Sequence, residues 1–499
     1  MAIRVRRGTI ARMEPIAYDL IVIGSGPAGE SGAAAASLFG KRVAMIEKSP
    51  QVGGASTNTG TLPSKTLRET ALAISGLRAR DLYGVDLSLR REATVADFMF
   101  HERRVTANER KRVERNLARY GVVLYRGMAS FVDPHTIRVA PQVTGEASDT
   151  VLGSSHANDS EGTGAVLLKS KRILIASGSS PVQPPGFPFK HPRVLDSDEI
   201  LQLDRLPRSL AVVGAGVIGS EYACTFAALG TSVWVIDGRD ELMPFLDREV
   251  SQALADAMNR KLGIEFLWKN QVTACKAQDI GDITLEFDTG GRLCVDAVLV
   301  AAGRASNTAT LNLGAAEIKV GPKGRLTVDA HYRTNVSHIY AAGDVIGFPA
   351  LASTSMEQAR VAMCHAFEQG HKTALAPLLP TGIYTIPEVS TIGSTEEQLR
   401  SQGIDYVVGR ASYSQCARGE IIGDQTGFLK LLFRRDDLKL LGVHVIGELA
   451  SEVVHVGVVA MLSDSTAELF NRSCFNFPTL GDLYKIATYD AMIKRAMTT

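Results

Sequence analysis

The sequence is poor in the residues that mark disulfide-stabilised and metal-binding proteins. Its 499 residues include six cysteines, at positions 224, 275, 294, 364, 416 and 474, with neither a C-x-x-C pair nor a zinc-like spacing. A chain of this length buries enough surface to need no disulfides, so a reducing, cytoplasmic location is expected. The ten histidines are scattered along the chain, and no metal site is expected.

Long apolar runs and an excess of charge are also missing. No run of about 18 apolar residues occurs, so no membrane span is expected. The 54 basic and 53 acidic residues leave a net charge of +1, which gives no reason to expect a nucleic-acid partner. Residues 1–17 contain four arginines before the first acid, Glu14. They are interpreted as a basic tail, with an organelle-targeting peptide as the alternative.

The sequence does contain a glycine-rich turn at the start of its expected ordered part, near Tyr18. Gly24, Gly26 and Gly29 follow a short apolar strand and open an alanine-rich helix. The first glycine permits a tight turn, the second lets the backbone approach a pyrophosphate, and the third lets the helix pack close to the sheet. Glu47 ends the next strand, where a carboxylate accepts hydrogen bonds from ribose hydroxyls. This pattern predicts a dinucleotide-binding domain.

The same pattern recurs further along the chain, which indicates a second, related domain. Gly214, Gly216 and Gly219 follow another strand and open another helix, and Asp237 ends the next strand. Asp237 suits the free ribose hydroxyl of NAD and repels the extra phosphate of NADP. Arg239 either meets that phosphate or faces solvent, and the first alternative predicts a site that accepts both nucleotides.

Further motifs lie between and after the two turns. They are Gly53-Gly54, Gly60–Lys65 (GTLPSK), Ile175–Ser179 (IASGS), Ala301–Arg304 (AAGR), Ile339–Val345 (IYAAGDV) and Ile386–Glu388 (IPE). With both turns, these motifs make the chain resemble the pyridine nucleotide–disulfide oxidoreductases, the group of lipoamide dehydrogenase, glutathione reductase and mercuric reductase. The resemblance covers nearly the whole chain.

The resemblance implies a cofactor for each turn. The first turn, with Gly54 and Gly178, would bind FAD, and Asp344 would hold the ribityl chain of the flavin through a charge-assisted hydrogen bond. The second turn, with Gly303, would bind NAD(H) and NADP(H). The catalytic residues would be Lys65, near the reactive edge of the flavin, and Glu221, which pairs with it. A cation in that position stabilises the negative charge of reduced flavin.

The expected fold class is α/β, with two Rossmann-like doubly wound dinucleotide-binding domains and an α+β C-terminal dimerisation domain. After the tail at 1–17, the expected division is 18–180 and 304–375 for the FAD-binding domain, 181–303 for the NAD(P)-binding domain and 376–499 for the dimerisation domain. Polar and small residues predict an exposed insertion at 144–163. The last domain implies a homodimer or a higher homo-oligomer.

The chain departs from the family at the residues that reduce disulfides. Members with that activity carry two redox cysteines where this chain has Ser56 and Thr61, and a C-terminal histidine where it has Phe477. A hydroxyl group forms neither a disulfide nor a thiolate, so a dithiol relay is excluded.

Three other runs are similar to one subgroup, the soluble pyridine nucleotide transhydrogenases. They are Gly343–Ser353 (GDVIGFPALAS), Pro380–Glu388 (PTGIYTIPE) and Phe475–Thr479 (FNFPT). The resemblance implies reversible, ping-pong hydride transfer between NADPH and NAD⁺ through the flavin. Two alternatives stay open, because fold alone does not decide function: a quinone or dye reductase, and a non-catalytic redox sensor that binds flavin.

Overall fold

The computed structural model describes residues 14–77, 95–141, 164–424 and 426–497. Most of the basic tail and the whole insertion at 144–163 lie outside this part of the chain. Regular structure begins with a strand at Ile16, slightly before the expected start at Tyr18.

The described residues form the following strands and helices. The strands are β1 Ile16–Ile23, β2 Val43–Glu47, β3 Val123–Arg126, β4 Met128–Asp133, β5 Thr136–Ala140, β6 Val166–Ile175, β7 Ser179–Pro181, β8 Val194–Asp196, β9 Ser209–Val213, β10 Ser232–Asp237, β11 Glu265–Trp268, β12 Val272–Lys276, β13 Ile283–Phe287, β14 Arg292–Val295, β15 Ala297–Val300, β16 Arg304–Ser306, β17 Ile339–Ala341, β18 Thr381–Ile383, β19 Glu388–Gly393, β20 Tyr406–Ser412, β21 Phe428–Arg434 and β22 Leu440–Gly447. The helices are α1 Pro27–Leu38, α2 Gly54–Asn58, α3 Thr61–Ile74, α4 Val95–Arg119, α5 Val217–Ala228, α6 Arg248–Leu262, α7 Ala352–Ala366, α8 Glu396–Ser401, α9 Ala417–Ile422, α10 Ala450–Leu462, α11 Ala467–Arg472 and α12 Asp482–Met497.

The chain divides into two compact units that alternate along the sequence. The first unit comprises residues 1–58, 106–180 and 304–375, and the second comprises 59–105, 181–303 and 376–499. Segment 59–105, which the sequence-based division did not set apart, groups with the second unit.

The first unit is built on a seven-stranded sheet. Strands β3, β2, β1, β6 and β17 run parallel, and the β4–β5 hairpin joins the beginning of β6 in antiparallel fashion. Leu20 and Val22 of β1 pack in one apolar cluster with α1 and α7, while Ile21 and Ile23 pack in a second cluster. Both faces of β1 are therefore covered, which explains the apolar run at residues 20–23.

The second unit holds another parallel sheet, in the order β11, β10, β9, β15, β8. The succession β9, α5, β10 repeats the arrangement of β1, α1 and β2 in the first unit. Helix α3 shares one apolar cluster with α5, through Leu67 and Ala223 among others. The small antiparallel sheet β12–β13–β14 packs in a different cluster, where Leu285 lies with Val298 of β15.

The C-terminal part of the second unit is a five-stranded antiparallel sheet, in the order β18, β19, β22, β21, β20. Helices α10 and α12 pack together, and the buried Tyr484 joins them. Its hydroxyl accepts from the Gly457 N–H at 3.0 Å and donates to the Val453 carbonyl at 3.0 Å. The two parallel sheets and this antiparallel block confirm the expected α/β class.

Among the described residues, no helix combines the length and the apolar character that crossing a membrane requires.

Candidate functional site

The first glycine turn leaves no room for a side chain at two of its three glycines. Gly24 has a φ of +102°, and a Cβ there would lie 2.3 Å from the carbonyl oxygen of Ala176. A Cβ on Gly29 would lie 1.9 Å from the carbonyl oxygen of Gly24. Helix α1 thus presses against the turn that precedes it. Because the obstructing atoms belong to the backbone, both positions require glycine.

The N-terminus of α1 is open to an anionic ligand. Gly26 is its N-cap residue with an extended backbone, and no side chain among the described residues caps the helix. Gly54 lies against this end, since a Cβ on Gly54 would come within 2.7 Å of the Gly26 Cα. The uncapped N–H groups and the helix dipole together suit a pyrophosphate.

Asp344 lies in the same unit, beside the N-terminus of α1. The Ser179 hydroxyl donates to Asp344 Oδ2 at 2.6 Å, and Arg304 Nε donates to Ser179 Oγ at 2.9 Å. A Cβ on Gly343 would lie 3.3 Å from the Cβ of Ala28, so the first turn and Asp344 are neighbours. The structure therefore brings together the residues that one extended dinucleotide would need.

Gly178 and its neighbour complete this region. Gly178 has a φ of +68°, and a Cβ there would meet nothing within 4 Å. The Ser177 hydroxyl is buried without a hydrogen-bond partner in the part of the chain that the structure describes. A buried hydroxyl without a partner costs free energy, so a polar ligand atom at this point would satisfy it. The first turn and its surroundings fit FAD.

The second glycine turn repeats the geometry of the first. Gly214 has a φ of +111°, and a Cβ there would lie 2.6 Å from the carbonyl oxygen of Ala301. A Cβ on Gly219 would lie 2.0 Å from the Gly214 carbonyl oxygen. Gly216 caps α5 with an extended backbone, no described side chain caps the helix, and the space over Gly216 is open. Ser220 also has a buried hydroxyl without a described partner. These residues fit a second dinucleotide.

The two acids at the strand ends hold the glycine turns in the same way. Ser25 N–H donates to Glu47 at 2.8 Å, and Ala215 N–H donates to Asp237 at 2.7 Å. The Ser25 hydroxyl also donates to Glu47 at 2.6 Å, and Ser49 N–H donates to its other oxygen at 2.7 Å. Each acid therefore orders its turn. Glu47 keeps an acceptor position for a ribose hydroxyl, whereas the acceptor positions of Asp237 are filled by the Ala215 N–H and by N–H groups of Arg239.

The side chain of Arg239 is hydrogen-bonded to Asp237. Its Nε and Nη2 donate to the two oxygens of Asp237 at 2.9 and 2.8 Å, although the Arg239 side chain stays 47% exposed. This hydrogen bonding lowers the pKa of Asp237 to about 2, against the opposing effect of burial. Gly303 has a φ of +99° and open space at its Cβ position.

Lys65 and Glu221 form a close ion pair in the second unit. Lys65 Nζ lies 2.5 Å from Glu221 Oε2, and the side chains are 26% and 7% exposed. The other oxygen of Glu221 accepts from the Tyr384 N–H at 2.9 Å. Lys65 Nζ also lies 5.0 Å from the centroid of the Tyr384 ring. The pair predicted from the sequence is thus present, with a third member that the sequence analysis did not name.

The positions of the family's disulfide relay contain no thiol. Ser56 is half-buried on α2, and its hydroxyl donates to the Gly53 carbonyl at 3.4 Å. Thr61 is exposed at the first position of α3. The side chain of Phe477 is 78% exposed. All six cysteines are free thiols.

One carboxylate cluster in the described residues has metal-like spacing, formed by Asp247, Glu249 and Glu396. Lys430 is fully buried among these acids, with Nζ at 2.8, 2.9 and 2.5 Å from them respectively. Its ammonium already supplies the positive charge that the cluster needs.

Tyr384 and Arg304 make contacts that the sequence analysis did not predict. Tyr384 lies in the motif PTGIYTIPE and Arg304 in the motif AAGR. No local pattern indicates that Tyr384 touches Lys65 or that Arg304 supports Ser179, because each contact joins distant parts of the chain.

Comparison with known proteins identifies the family. Residues 18–366 match the pyridine nucleotide-disulphide oxidoreductase model, and residues 379–487 match the dimerisation domain of that family. The soluble pyridine nucleotide transhydrogenase of Mycobacterium bovis (strain BCG / Pasteur 1173P2) is 44% identical over 478 residues, covering 96% of this chain and 97% of the relative. A protein of the same name from Hahella chejuensis is 38% identical, covering 95% and 98%.

Solved structures show the same fold. The HOCl-induced flavoprotein disulfide reductase RclA from Escherichia coli matches with a TM-score of 0.81 and 25% identity, covering 94% of this chain and 100% of that one. The chain belongs to the pyridine nucleotide-disulphide oxidoreductase family of flavoprotein oxidoreductases. The family and its transhydrogenase relatives imply binding of FAD and NAD(P)H, which confirms the cofactors expected from the sequence.

Proposed function

We propose that this protein is an FAD-dependent transhydrogenase that moves hydride reversibly between NADPH and NAD⁺. The observation that carries the proposal is the intact Lys65–Glu221 pair in a chain with hydroxyls at Ser56 and Thr61. Such a chain keeps the means to reduce a flavin and lacks a thiol relay to pass the electrons on. The names of the relatives from M. bovis and H. chejuensis support it.

The proposed cofactor sites follow the two glycine turns. FAD is assigned to Gly24, Gly26, Gly29, Glu47, Gly54, Gly178 and Asp344, and the nicotinamide nucleotide to Gly214, Gly216, Gly219, Asp237, Arg239 and Gly303. The domains are assigned accordingly, with 18–180 and 304–375 for FAD, 181–303 for the nucleotide and 376–499 for dimerisation. We further propose a cytoplasmic homodimer, supported by the six free cysteines and the dimerisation-domain match.

When bound, FAD supplies the site that takes a hydride from one nucleotide and gives it to the other. The second turn binds the two nucleotides in succession, so both substrates use the same residues in a ping-pong cycle. Lys65 supplies positive charge for the stored electrons, and Glu221 fixes the direction of that ammonium from 2.5 Å. Hydride transfer itself needs no acid or base, which agrees with Phe477 at the place of the family's histidine.

Acceptance of both nucleotides is assigned to Asp237 and Arg239. With NAD(H), a ribose hydroxyl replaces one N–H of Arg239 at Asp237, and Arg239 continues to offset the charge of the carboxylate. With NADP(H), Arg239 turns from Asp237 to the extra phosphate, which an exposed and flexible side chain can do at small cost. Because Arg239 can exchange Asp237 for the phosphate, one site can bind both NAD(H) and NADP(H).

The proposal is tested by anaerobic mixing of the yellow protein with NADPH, followed by a thio-analogue of NAD⁺. Bleaching of the flavin and its rapid reoxidation by the analogue would support transhydrogenation. Bleaching that only a quinone relieves would instead indicate a quinone or dye reductase, for which the exposed ring of Phe477 offers a flat apolar surface. Absence of bleaching by either reduced nucleotide would indicate a non-catalytic flavoprotein.

A further inference from the structure

Residues 384–388, called the tether, run from the end of β18 into the first residue of β19. Helices α3 and α5 of the second unit bind this segment along most of its length. The contacts are Tyr384 N–H to Glu221 Oε1 at 2.9 Å, Arg68 Nε to the Thr385 carbonyl at 2.9 Å, Cys224 Sγ to the Ile386 carbonyl at 3.9 Å, and Arg68 Nη1 to Glu388 at 3.1 Å. Arg68 and Glu388 are both buried. The tether is therefore fixed on the two helices that carry Lys65 and Glu221.

Tyr384 contacts both members of the ion pair. Its N–H binds one oxygen of Glu221, which leaves the other oxygen to Lys65 at 2.5 Å. The face of its ring lies 5.0 Å from Lys65 Nζ, a distance at which the ring attracts a cation. The Lys65 side chain keeps only 26% of its surface exposed. The ammonium thus has a fixed direction, set by a carboxylate and an aromatic ring.

The ring of Tyr384, and not its hydroxyl, makes the contact with Lys65. Burial raises the pKa of the Tyr384 hydroxyl, while a hydrogen bond with Ser451 acts to lower it. The Ser451 hydroxyl also donates to Glu388 at 3.0 Å, so the phenol group belongs to the structure of the tether. A phenylalanine at this position would retain the surface that faces the ammonium.

We propose that Tyr384 is a positioning residue that holds the Lys65 ammonium in its productive orientation through its ring and through Glu221. The inference rests on the proposed function, because that function gives Lys65 its role. It adds a residue of the C-terminal segment 376–499 to the redox site.

The first test measures the chemical reactivity of Lys65 and needs no turnover. The holoenzyme is treated with limiting acetic anhydride, and acetylation of Lys65 is compared by mass spectrometry with that of the exposed Lys269. In Y384L the ratio of Lys65 acetylation to Lys269 acetylation should rise about fivefold, because the ring no longer covers and holds the Lys65 ammonium. In Y384F it should stay within about twofold of the wild type.

The chain offers a matched control in Phe428, whose ring lies 4.3 Å from the guanidinium of Arg410 in the same unit. F428L removes the same kind of contact and should leave the Lys65 ratio unaltered. An unchanged ratio in Y384L overturns the proposal, as does a Y384F protein as reactive as Y384L. An equal rise in F428L also overturns it, because the effect would then be general loosening.

The second test follows flavin reduction by NADPH in a stopped-flow instrument. Y384L should slow the limiting rate by about tenfold with the Kd for NADPH within about twofold, and Y384F should recover most of the rate. A rise in Kd alone would assign Tyr384 to nucleotide binding and contradict the proposal. If the wild-type flavin is not reduced, the proposed function fails, and the acetylation ratio still decides whether Tyr384 holds Lys65.

Discussion

Gly29 and Gly219 stand at equivalent points of the two glycine turns, where each helix meets its strand. A Cβ would lie 1.9 Å from a backbone oxygen at Gly29 and 2.0 Å at Gly219. Neither oxygen can move without opening its turn, because each turn is also held by an acid, Glu47 or Asp237. An alanine at either position should therefore disrupt one turn and leave the other intact.

We expect G29A to lose FAD and G219A to keep it. Overpacking of about 1–3 kcal/mol corresponds to roughly tenfold to hundredfold in affinity. G29A should purify with little flavin, whereas G219A should be yellow and bleach slowly with NADPH. Flavin content from the absorption spectrum and reduction by dithionite distinguish the two defects. A colourless G219A protein would contradict the separate assignment of the turns.

Arg239 is expected to discriminate between the two nucleotides. R239A should raise the KM for NADPH by about tenfold, because a charge-assisted hydrogen bond to phosphate is worth about 1.5–3 kcal/mol and this one is partly exposed. The KM for NADH should change by less than about twofold. Steady-state kinetics with each nucleotide provide the measurement. Equal effects on both would show that Arg239 does not contact the extra phosphate.

Asp237 should contribute no pH dependence to the nucleotide preference from mild acid to neutral pH. The pKa of Asp237 is lowered to about 2, so its charge, and the stability that depends on it, are lost only as the pH falls through that value. The ratio of KM for NADPH and NADH, measured between about pH 5 and pH 8, should therefore show no step from this carboxyl.

At the residue scale, the features that depend on local spacing could be predicted from the sequence. The glycines and the acids at the strand ends follow from the requirements of a turn between strand and helix. Their assignment to FAD and to the nucleotide stays a prediction. The ring of Tyr384 over Lys65 could not be predicted, because it depends on how β18 and α3 pack.

Among the elements, four strands of the C-terminal sheet align polar side chains in one row. Thr391, His444, Lys430 and Arg410 are direct cross-strand neighbours on β19, β22, β21 and β20. The acids that face Lys430 come from the start of α6 and of α8. Contacts of this row therefore connect α6 to the sheet of segment 376–499.

K430M should destabilise the protein by about 3–5 kcal/mol near neutral pH, because it leaves buried carboxylates without a cation. Burial opposes the charge of Lys430 and of Asp247. Contact with the acids nevertheless raises the pKa of Lys430, and the charge of His444 together with the Lys430 contact lowers the pKa of Asp247. The Asp247 contribution is lost as the pH falls below about 4, and the Lys430 contribution as it rises above about 10.

Urea unfolding at several pH values measures the difference in the free energy of unfolding between the wild type and K430M. This difference should be largest between about pH 4 and pH 10 and should shrink outside that range. K276M is the matched control, since Lys276 forms an exposed pair with Glu286 and should cost less than about 1 kcal/mol. An equal loss in both variants would contradict the stabilising role of the row.

The elements themselves were largely predictable where they repeat. The sequence indicated an alanine-rich helix after the first glycine turn and a strand that ends at Glu47, and the structure confirms both, at Pro27–Leu38 and Val43–Glu47. The sequence did not indicate that α3 groups with the second unit, because the apolar face of a helix does not specify which other helix packs against it.

On the scale of the whole molecule, two C-terminal helices expose apolar side chains that a monomer would leave in water. They are Val456, Val459 and Leu462 on α10, and Tyr489, Met492, Ile493 and Met497 on α12. Helix α10 lies within the dimerisation-domain match at residues 379–487, and α12 begins within it, while the exposed side chains of α12 directly follow it. This surface is therefore expected to be the contact between two copies of the chain.

The double variant V459E/I493E should shift the protein from dimer to monomer, since charges in an apolar interface lose their hydration. Light scattering at micromolar concentration is the measurement. I280E is the control, because Ile280 is 89% exposed on a turn between β12 and β13. A double variant that remains dimeric would place the interface elsewhere.

The alternation of the two units along the chain has a consequence for synthesis on the ribosome. The first unit needs residues up to 375 and the second needs segments that extend to the C-terminus. The first unit can therefore be completed only after residue 375 has emerged, and the second only at the end of synthesis, so apolar strands such as β1 and β9 stay without their full covering until late in translation. We expect the newly made chain to expose these strands for longer than a protein with consecutive domains would.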